Sequence, residues 1–482
     1  MHTSSLRAKS FALLLGGLAV STIPITQAAD KELLDVLLQN GIITETQHEE
    51  LLKKESLNSE DLLGEKSSQE SGELNTETEA AIAEAVSREF EANKGPIQVS
   101  RGSKGFKFAT DDGNWELNLQ GRAQSRYTNP FRSDPRQLDD FDGADQSNFE
   151  LRRVRTKIGG HGFQPWLKYY FELDLQPSRD DDDDATDASV RLIDYRIDLA
   201  KWDALAFRIG QWKVEHNRER VDSSGRQQFV ERSIVNRQFT IDRQLGAQVK
   251  GHLFQDTPAD LRYWAGIFNG EGRGVNNNGN SHLYAGRLQW NFLGRDLGFK
   301  QTDVEFTELP TGSFAIGAAT TEGTCTRWSS SGCGNLDGFT RPSDAEEDQF
   351  EIDQYVQELA FKYRGFSFQQ EWHRKLIDDQ VLDIDNDLTG FYAQTGYFFN
   401  NLIPSWPRQL ELAARYAYVE EPNEVDRTFD NEREEFTVAA NWFIKGHNNK
   451  LTLDYSYLTI DDDLFDDDDS ASRIRLQWDV SY

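Results

Sequence analysis

Two cysteines, one methionine and eight histidines in 482 residues leave too little to build a zinc array or a disulfide scaffold. No apolar run reaches the roughly 20 residues that carry a helix across a bilayer. The mean hydropathy of −0.69 excludes a polytopic helical membrane protein. Positive charge is also short: 52 Lys and Arg stand against 82 Asp and Glu, a formal net charge of −30, so phosphate repulsion argues against a general nucleic-acid binder. The chain holds no Gly-x-Ser-x-Gly elbow and no Ser/His/Asp grouping, so no enzyme, cofactor or metal site is expected. Aromatics, at 12%, are too many for wholesale disorder. A membrane β-barrel survives all of these exclusions, because half of each of its strands faces water.

Residues 1–28 have the order of a secretory leader. Arg7 and Lys9 form a basic start, Phe11 to Val20 a short apolar stretch, and Thr26-Gln27-Ala28 a small-residue cleavage site. Residues 29–112 read as a periplasmic helical extension and linker. Leu33, Leu34, Leu37 and Leu38 recur at helical spacing, and Ile82, Val86 and Phe90 make one narrow stripe. Such a stripe needs copies of itself or another surface, which points to a short oligomeric coiled coil; a frayed tether is the alternative.

From residue 113 to 482 the period becomes two. Leu117, Leu119, Gly121 and Ala123 alternate with Glu116, Asn118, Gln120 and Arg122; Leu451, Leu453, Tyr455 and Tyr457 alternate with Asp454 and Ser456. About sixteen such runs predict an all-β fold, a sixteen-stranded antiparallel transmembrane barrel, with centres near 121, 155, 171, 195, 208, 249, 265, 287, 315, 358, 370, 395, 414, 440, 455 and 477. The ninth centre competes with 301–307. Short connections (201–203, 255–260, the Gly365 turn, 445–449) alternate with eight long ones near 128–148, 177–188, 214–243, 270–280, 321–348, 377–387, 421–432 and 461–472. Short periplasmic turns and long outer loops characterise outer-membrane barrels.

The long loops carry acidic runs such as Asp180–Asp184 and Asp466–Asp469. These read as a solvated surface, with loose divalent bridging to lipopolysaccharide as the alternative. Cys325 and Cys333 share one outer loop and are expected to form a disulfide in an oxidising compartment. In the second strand, Arg153, Arg155 and Lys157 must share a face. Turning them to lipid costs about 2–4 kcal/mol each near the midplane, so they are expected to line the lumen. Phe149 and Leu151 then have the wrong parity and belong at the rim or beyond a bulge. The third long loop holds Arg218, Arg220, Arg226, Arg232, Arg237 and Arg243, five acids, and apolar anchors including Phe229, Val230 and Phe239. Folded inward, it would narrow the pore and present guanidinium forks suited to oxyanions; a network of ion pairs that braces the wall is the other reading.

Glu116-Leu117-Asn118-Leu119-Gln120-Gly121-Arg122, Phe149 to Arg155 followed by Gly159-Gly160, Phe207-Arg208-Ile209-Gly210-Gln211, the stretch Arg218–Val249, and Asn441-Trp442-Phe443 with Gly446-His447-Asn448 together resemble the phosphate-selective porin O and P family over roughly 105–482. The resemblance implies a homotrimeric sixteen-strand porin of the outer membrane. It also implies an inward third loop, basic residues guiding small inorganic anions, and a terminal aromatic (here Tyr482) that serves assembly. By position the anion-guiding role falls on Arg153, Arg155, Lys157 and the third-loop arginines. Lumen-side Glu116, Glu172, Asp174, Asp194, Asp198 and Glu358 depart from a purely basic pore and keep a general or cation-tolerant porin open. A structural tether to the cell wall is a third reading. The expected surroundings are outer-membrane lipids and lipopolysaccharide.

Overall fold

The computed structural model describes residues 97–102, 105–130, 147–176 and 190–482, the last without 278, 280, 331 and 466. The leader, the helices read within 30–94 and the loop at 177–188 lie outside these residues, as does most of the loop at 128–148. The strands are β1 (Ile97–Gly102), β2 (Gly105–Thr110), β3 (Glu116–Asn129), β4 (Asn148–Gly162), β5 (Gln164–Asp174), β6 (Arg191–Trp202), β7 (Leu205–Lys213), β8 (Arg243–Leu253), β9 (Leu261–Phe268) and β10 (Leu283–Trp290). They continue with β11 (Thr311–Gly323), the short pair β12 (Arg327–Ser329) and β13 (Gly332–Gly334), β14 (Phe350–Tyr363), β15 (Phe366–Asp379), β16 (Ile384–Phe398), β17 (Leu410–Pro422), β18 (Asp430–Phe443), β19 (Asn449–Asp462) and β20 (Asp467–Ser481).

Sixteen of these, β3 to β11 and β14 to β20, pair antiparallel with their neighbours and close where β20 meets β3, from Ile474 opposite Asn129 to Ser481 opposite Arg122. Tyr482 completes the seam by exchanging backbone hydrogen bonds of 2.9 and 3.0 Å with Gly121. Its ring lies where a Cβ on residue 121 would stand, so glycine there leaves the space that the ring fills. The hairpin β1–β2 adds to the lower part of β3, below the end of β20. Closure leaves no open edge, the condition for strands to cross hydrocarbon with every backbone group satisfied.

All sixteen centres read from the period fall inside barrel strands, and 311–323 rather than 301–307 is the ninth. The two faces invert the pattern of a soluble protein. Phe207, Ile209, Ile316, Trp372, Phe436, Leu453 and Trp478 are exposed on the outside, whereas Glu358, Glu371, Lys375, Glu411, Arg415, Lys450 and Asp454 are buried within. The parity break in β4 is a bulge. Gln124 pairs with Arg153 and Ser125 with Leu151, leaving Arg152 as the extra residue. Phe149 and Leu151 thereby return to the outer face, and Phe149 packs on Tyr127 with ring centroids 4.8 Å apart.

Several expected connections are corrected. The loops placed at 377–387 and 461–472 are tight turns, because β15, β16, β19 and β20 continue past the apolar band with polar residues on both faces. There the ladder persists, as in Glu351 opposite Asp378 and Asp461 opposite Asp468. At the other end, 291–310 and 399–409 are longer than periplasmic turns were expected to be. The turn between β14 and β15 is the tight type, with positive φ at both Arg364 (48°) and Gly365 (83°).

Candidate functional site

Residues 214–242, between β7 and β8, pack on the inner face of the wall. They include two single-turn helices, α1 (Arg218–Val221) and α2 (Val235–Phe239). The anchors hold as the sequence suggests: Phe229, Val230, Val235, Phe239 and Ile241 are almost fully buried. Val235, Phe239 and Ile241 join inward-facing Phe350, Ile352, Ile377, Leu388 and Tyr392 in one apolar cluster. Phe229 meets Ala413 and Ala439 instead.

Wall carboxylates hold the loop backbone. Arg218 N–H donates to Glu358 Oε1 (2.9 Å), Glu219 N–H to Glu371 Oε1 (2.6 Å), Val230 N–H to Asp454 Oδ2 (3.0 Å) and Ile234 N–H to Glu435 Oε2 (3.0 Å). These acids belong to β14, β15, β19 and β18, so one side of the loop is fixed to the β14–β19 wall. The connection 291–310 meets the loop as well. Gln228 N–H donates to Gln301 Oε1 (2.7 Å), Gln301 Nε2 donates to Gln227 Oε1 (2.8 Å), and Arg218 Nη1 donates to Gly298 O (2.6 Å).

The loop's other side faces β4 to β7 across a cavity of about 210 Å³. Six cations line it (Arg155, Lys157, Arg196, Arg208, Lys213 and Arg243) against three acids (Glu172, Glu215 and Asp194). Each acid is already engaged: Glu172 with Arg155 at 3.0 Å, Glu215 with Arg208 at 2.7 Å, and Asp194 with Arg243. Lys157 has no hydrogen-bond or ion-pair partner among the described residues. Among the described residues, Lys213 donates only to the carbonyls of Arg220 (3.0 Å) and Asp222 (3.1 Å), and Arg122 only to the hydroxyls of Ser223 (3.0 Å) and Ser224 (2.8 Å). The bases are therefore in excess where the wall faces the loop across open space. The acids are in excess where loop and wall are joined.

The nine basic residues singled out from the sequence separate into groups. Arg153 and Arg155 point inward and are paired, Arg153 with Glu231 at 3.3 Å. Lys157 faces the cavity. Arg220 pairs with Asp242, and Arg243 with both Asp194 and Asp242. Arg226 is exposed, and Arg232 donates to the carbonyls of Glu219 (2.8 Å) and Asp222 (2.8 Å). Arg218 does not line the passage: it is 1% exposed, donates to Ser313 Oγ at 3.1 Å and lies over the Phe299 ring at 5.4 Å. Arg237 also stands apart, 3.4 Å from Asp337 of the outer loop 324–349. In that loop Cys325 and Cys333 are joined by a disulfide.

Burial, then the nearby charge of Arg220, lowers the Arg232 guanidinium to about 10, still cationic at neutral pH. Burial alone would raise Glu231, but Arg153, Arg126 and Arg152 hold its carboxyl well below the usual range. Glu231 is thus a fixed anion that ties the loop to β3 and β4. Reading the sequence missed Arg122, Arg152, Arg196, Arg208 and Lys213. Arg122 and Arg208 had a visible signal, since each shares the polar parity of a strand already recognised, whereas Lys213 has the parity of outward Phe207 and Ile209 and turns to the cavity only at the end of β7. Arg152 had none, because the bulge reverses its face.

A closed sixteen-strand barrel with an apolar outer face and a polar, charged interior is an outer-membrane porin. The family model of the phosphate-selective porin O and P matches residues 126–480, and the chain belongs to that family. No curated protein matches it in sequence. Solved structures of similar fold include a loop-deletion mutant of OmpT from Vibrio cholerae, at 12% identity and TM-score 0.49, over 76% of this chain and 99% of that one. They also include the channel DcaP of Acinetobacter baumannii, at 10% identity and TM-score 0.48, over 76% and 97%. An anion-selective porin from Comamonas acidovorans aligns at 9% identity and TM-score 0.47, over 76% and 99%.

Proposed function

We propose that the chain is a passive porin for small inorganic anions, with phosphate and polyphosphate the favoured class. The observation that carries this is the passage between the third loop and the β4–β7 wall, where six cations face three acids, each acid is engaged by an arginine, and Lys157, opposite Glu172 in the β4–β5 ladder, and Lys213 make no direct ion pair among the described residues. The description of the family points the same way. No bond is made or broken. Ammonium and guanidinium donors replace part of an anion's hydration, weakly enough for release to the next site. The lumen acids that suggested a cation-tolerant pore do other work in this reading: Glu358 holds the loop backbone, and Glu172, Asp194 and Asp198 pair with arginines.

The further elements of this reading are a homotrimer, lipopolysaccharide and lipid around the wall, and residues 29–112 in the periplasm, where the helical stripe engages its copies or the cell wall. Removing residues 29–94 should leave conductance intact; loss of conductance would sink the separation of tether and pore. The main test is the reversal potential of purified protein in a planar bilayer under a salt gradient. An anion-side potential with conductance blocked by added phosphate is expected. A cation-side potential would mean that the carboxylates dominate the lumen and the porin is general.

A further inference from the structure

The outer surface of the barrel is uneven in charge. Near the long-loop end, the outward faces of β16 to β18 carry Asp387, Glu420, Glu432 and Glu434. At the short-turn end, a recess of about 1060 Å³ opens instead, between the connections 291–310 and 399–409 and the β14–β15 turn. Arg364 and Arg408 line it, with Glu308 as the one acid. Outward-phase Tyr363, Phe366 and Tyr397 form its wall, at the level where aromatic side chains mark the membrane–water boundary. Leu309 and Leu402 at its margin are 58% and 69% exposed.

Three features of the recess are left unused by the fold itself. Both guanidinium groups are exposed, and neither has an ion-pair or hydrogen-bond partner among the described residues. Their contacts are with rings: Arg364 lies 5.1 Å from the Tyr363 centroid and Arg408 4.7 Å from that of Phe306. These rings hold the cations in place without neutralising them. Next, Arg364 sits at φ 48°, the first central position of a two-residue hairpin, where Asn or Gly fits without strain and Arg does not. The turn itself gains nothing from an arginine. Finally, Asn400 Oδ1 is buried in the recess without a donor.

Two cations, one carboxylate and one free amide acceptor, beside exposed leucines, are complementary to a zwitterion with acyl chains. We propose that the recess binds an ethanolamine glycerophospholipid of the periplasmic leaflet. Its phosphodiester sits on Arg364 and Arg408, its ammonium on Glu308 and Asn400 Oδ1, and its chains run along Leu309 and Leu402. The acidic opposite end is unsuited to the same headgroup phosphate, which assigns the site to one leaflet.

The test is native mass spectrometry of the delipidated full chain in detergent, titrated with phosphatidylethanolamine or phosphatidylglycerol. One phosphatidylethanolamine per chain is expected to survive activation, and inorganic phosphate should not displace it. R364Q/R408Q should weaken binding at least tenfold, with unchanged single-channel conductance as evidence of a folded barrel. R408Q alone, on a connection rather than a strand, should give a partial loss if the double variant fails to fold. E308Q should abolish the preference for phosphatidylethanolamine while retaining phosphatidylglycerol. Wild-type affinity in the arginine variants, or displacement by phosphate, would overturn the site; a headgroup preference untouched by E308Q would overturn the ethanolamine assignment.

Discussion

Lys157→Gln removes one charge from the passage and little volume. The cavity of about 210 Å³ is equivalent to a sphere of radius about 3.7 Å, which puts the ammonium about 6 Å from an ion at its centre. At that separation Coulomb's law in bulk water gives about 0.7 kcal/mol, and screening at 0.1 M salt reduces this to about 0.4 kcal/mol. Losing the charge lowers the local anion concentration and raises that of cations by the same factor, so the anion-to-cation permeability ratio should fall about 3- to 10-fold. The assay is the reversal potential of wild type and variant in one bilayer under one gradient. Arg374→Gln is the control: Arg374 is exposed on the outer face and pairs with Asp387 there, so selectivity should not move. A Lys157→Gln channel with wild-type reversal potential would refute the placement of the ion path along β4.

Glu371→Ala should loosen the third loop, because Glu219 N–H, Asn217 Nδ2 and the His373 ring lose their shared acceptor, at about 1–3 kcal/mol for each buried group left unpaired. Higher current noise and protease cleavage within 214–242 should follow; a quiet, resistant channel would contradict the docking role. Cys325→Ser/Cys333→Ser, opening a disulfide of sequence separation 8, should cost about 2.5 kcal/mol locally and raise hydrogen exchange in 324–349 without changing conductance. Glu231 is lowered from an ordinary value of 4.5, so its stabilisation is complete above that pH and is lost only as pH falls through the lower folded value. The part of the pH profile of conductance that Glu231→Gln removes should therefore lie below pH 4.5; a difference between wild type and this variant that arises near neutrality would count against this tie.

The legibility of this chain follows the membrane. Where lipid lies on one side and water on the other, every second residue reports its face, and the strand centres can be read directly. The signal fades where that contrast does. In β11 the inward residues Ser313, Ala315, Gly317 and Ala319 are small because the third loop passes close by; a Cβ on Gly317 would lie 2.9 Å from His216 O. In the neighbouring 301–307, Gln301, Thr302 and Asp303 are buried but lie outside the ladder: Gln301 meets the third loop, Thr302 meets His447 and Lys362, and Asp303 accepts from Thr307 and Gly365. Above the apolar band both faces meet water, so strands that continue there read as loops.

The site was half legible for a related reason. Parity placed Arg153, Arg155 and Lys157 inward, but parity cannot say which lumen charges are cancelled. That depends on contacts such as Arg122 to Ser224 and Glu411 to Gln228, about 100 and 183 residues apart in sequence. A lumen of mixed sign is ambiguous as a list of residues and becomes directional only once the third loop divides it. Glu358, Glu371, Glu435 and Asp454 then face backbone N–H groups and no longer face permeating ions, while Lys157 faces open space. The loop thus does more than narrow the bore. If the proposed anion path is right, the loop takes up the acids of one wall and leaves the cations of the other to set the field, so loosening it should widen the pore and weaken the proposed anion preference together.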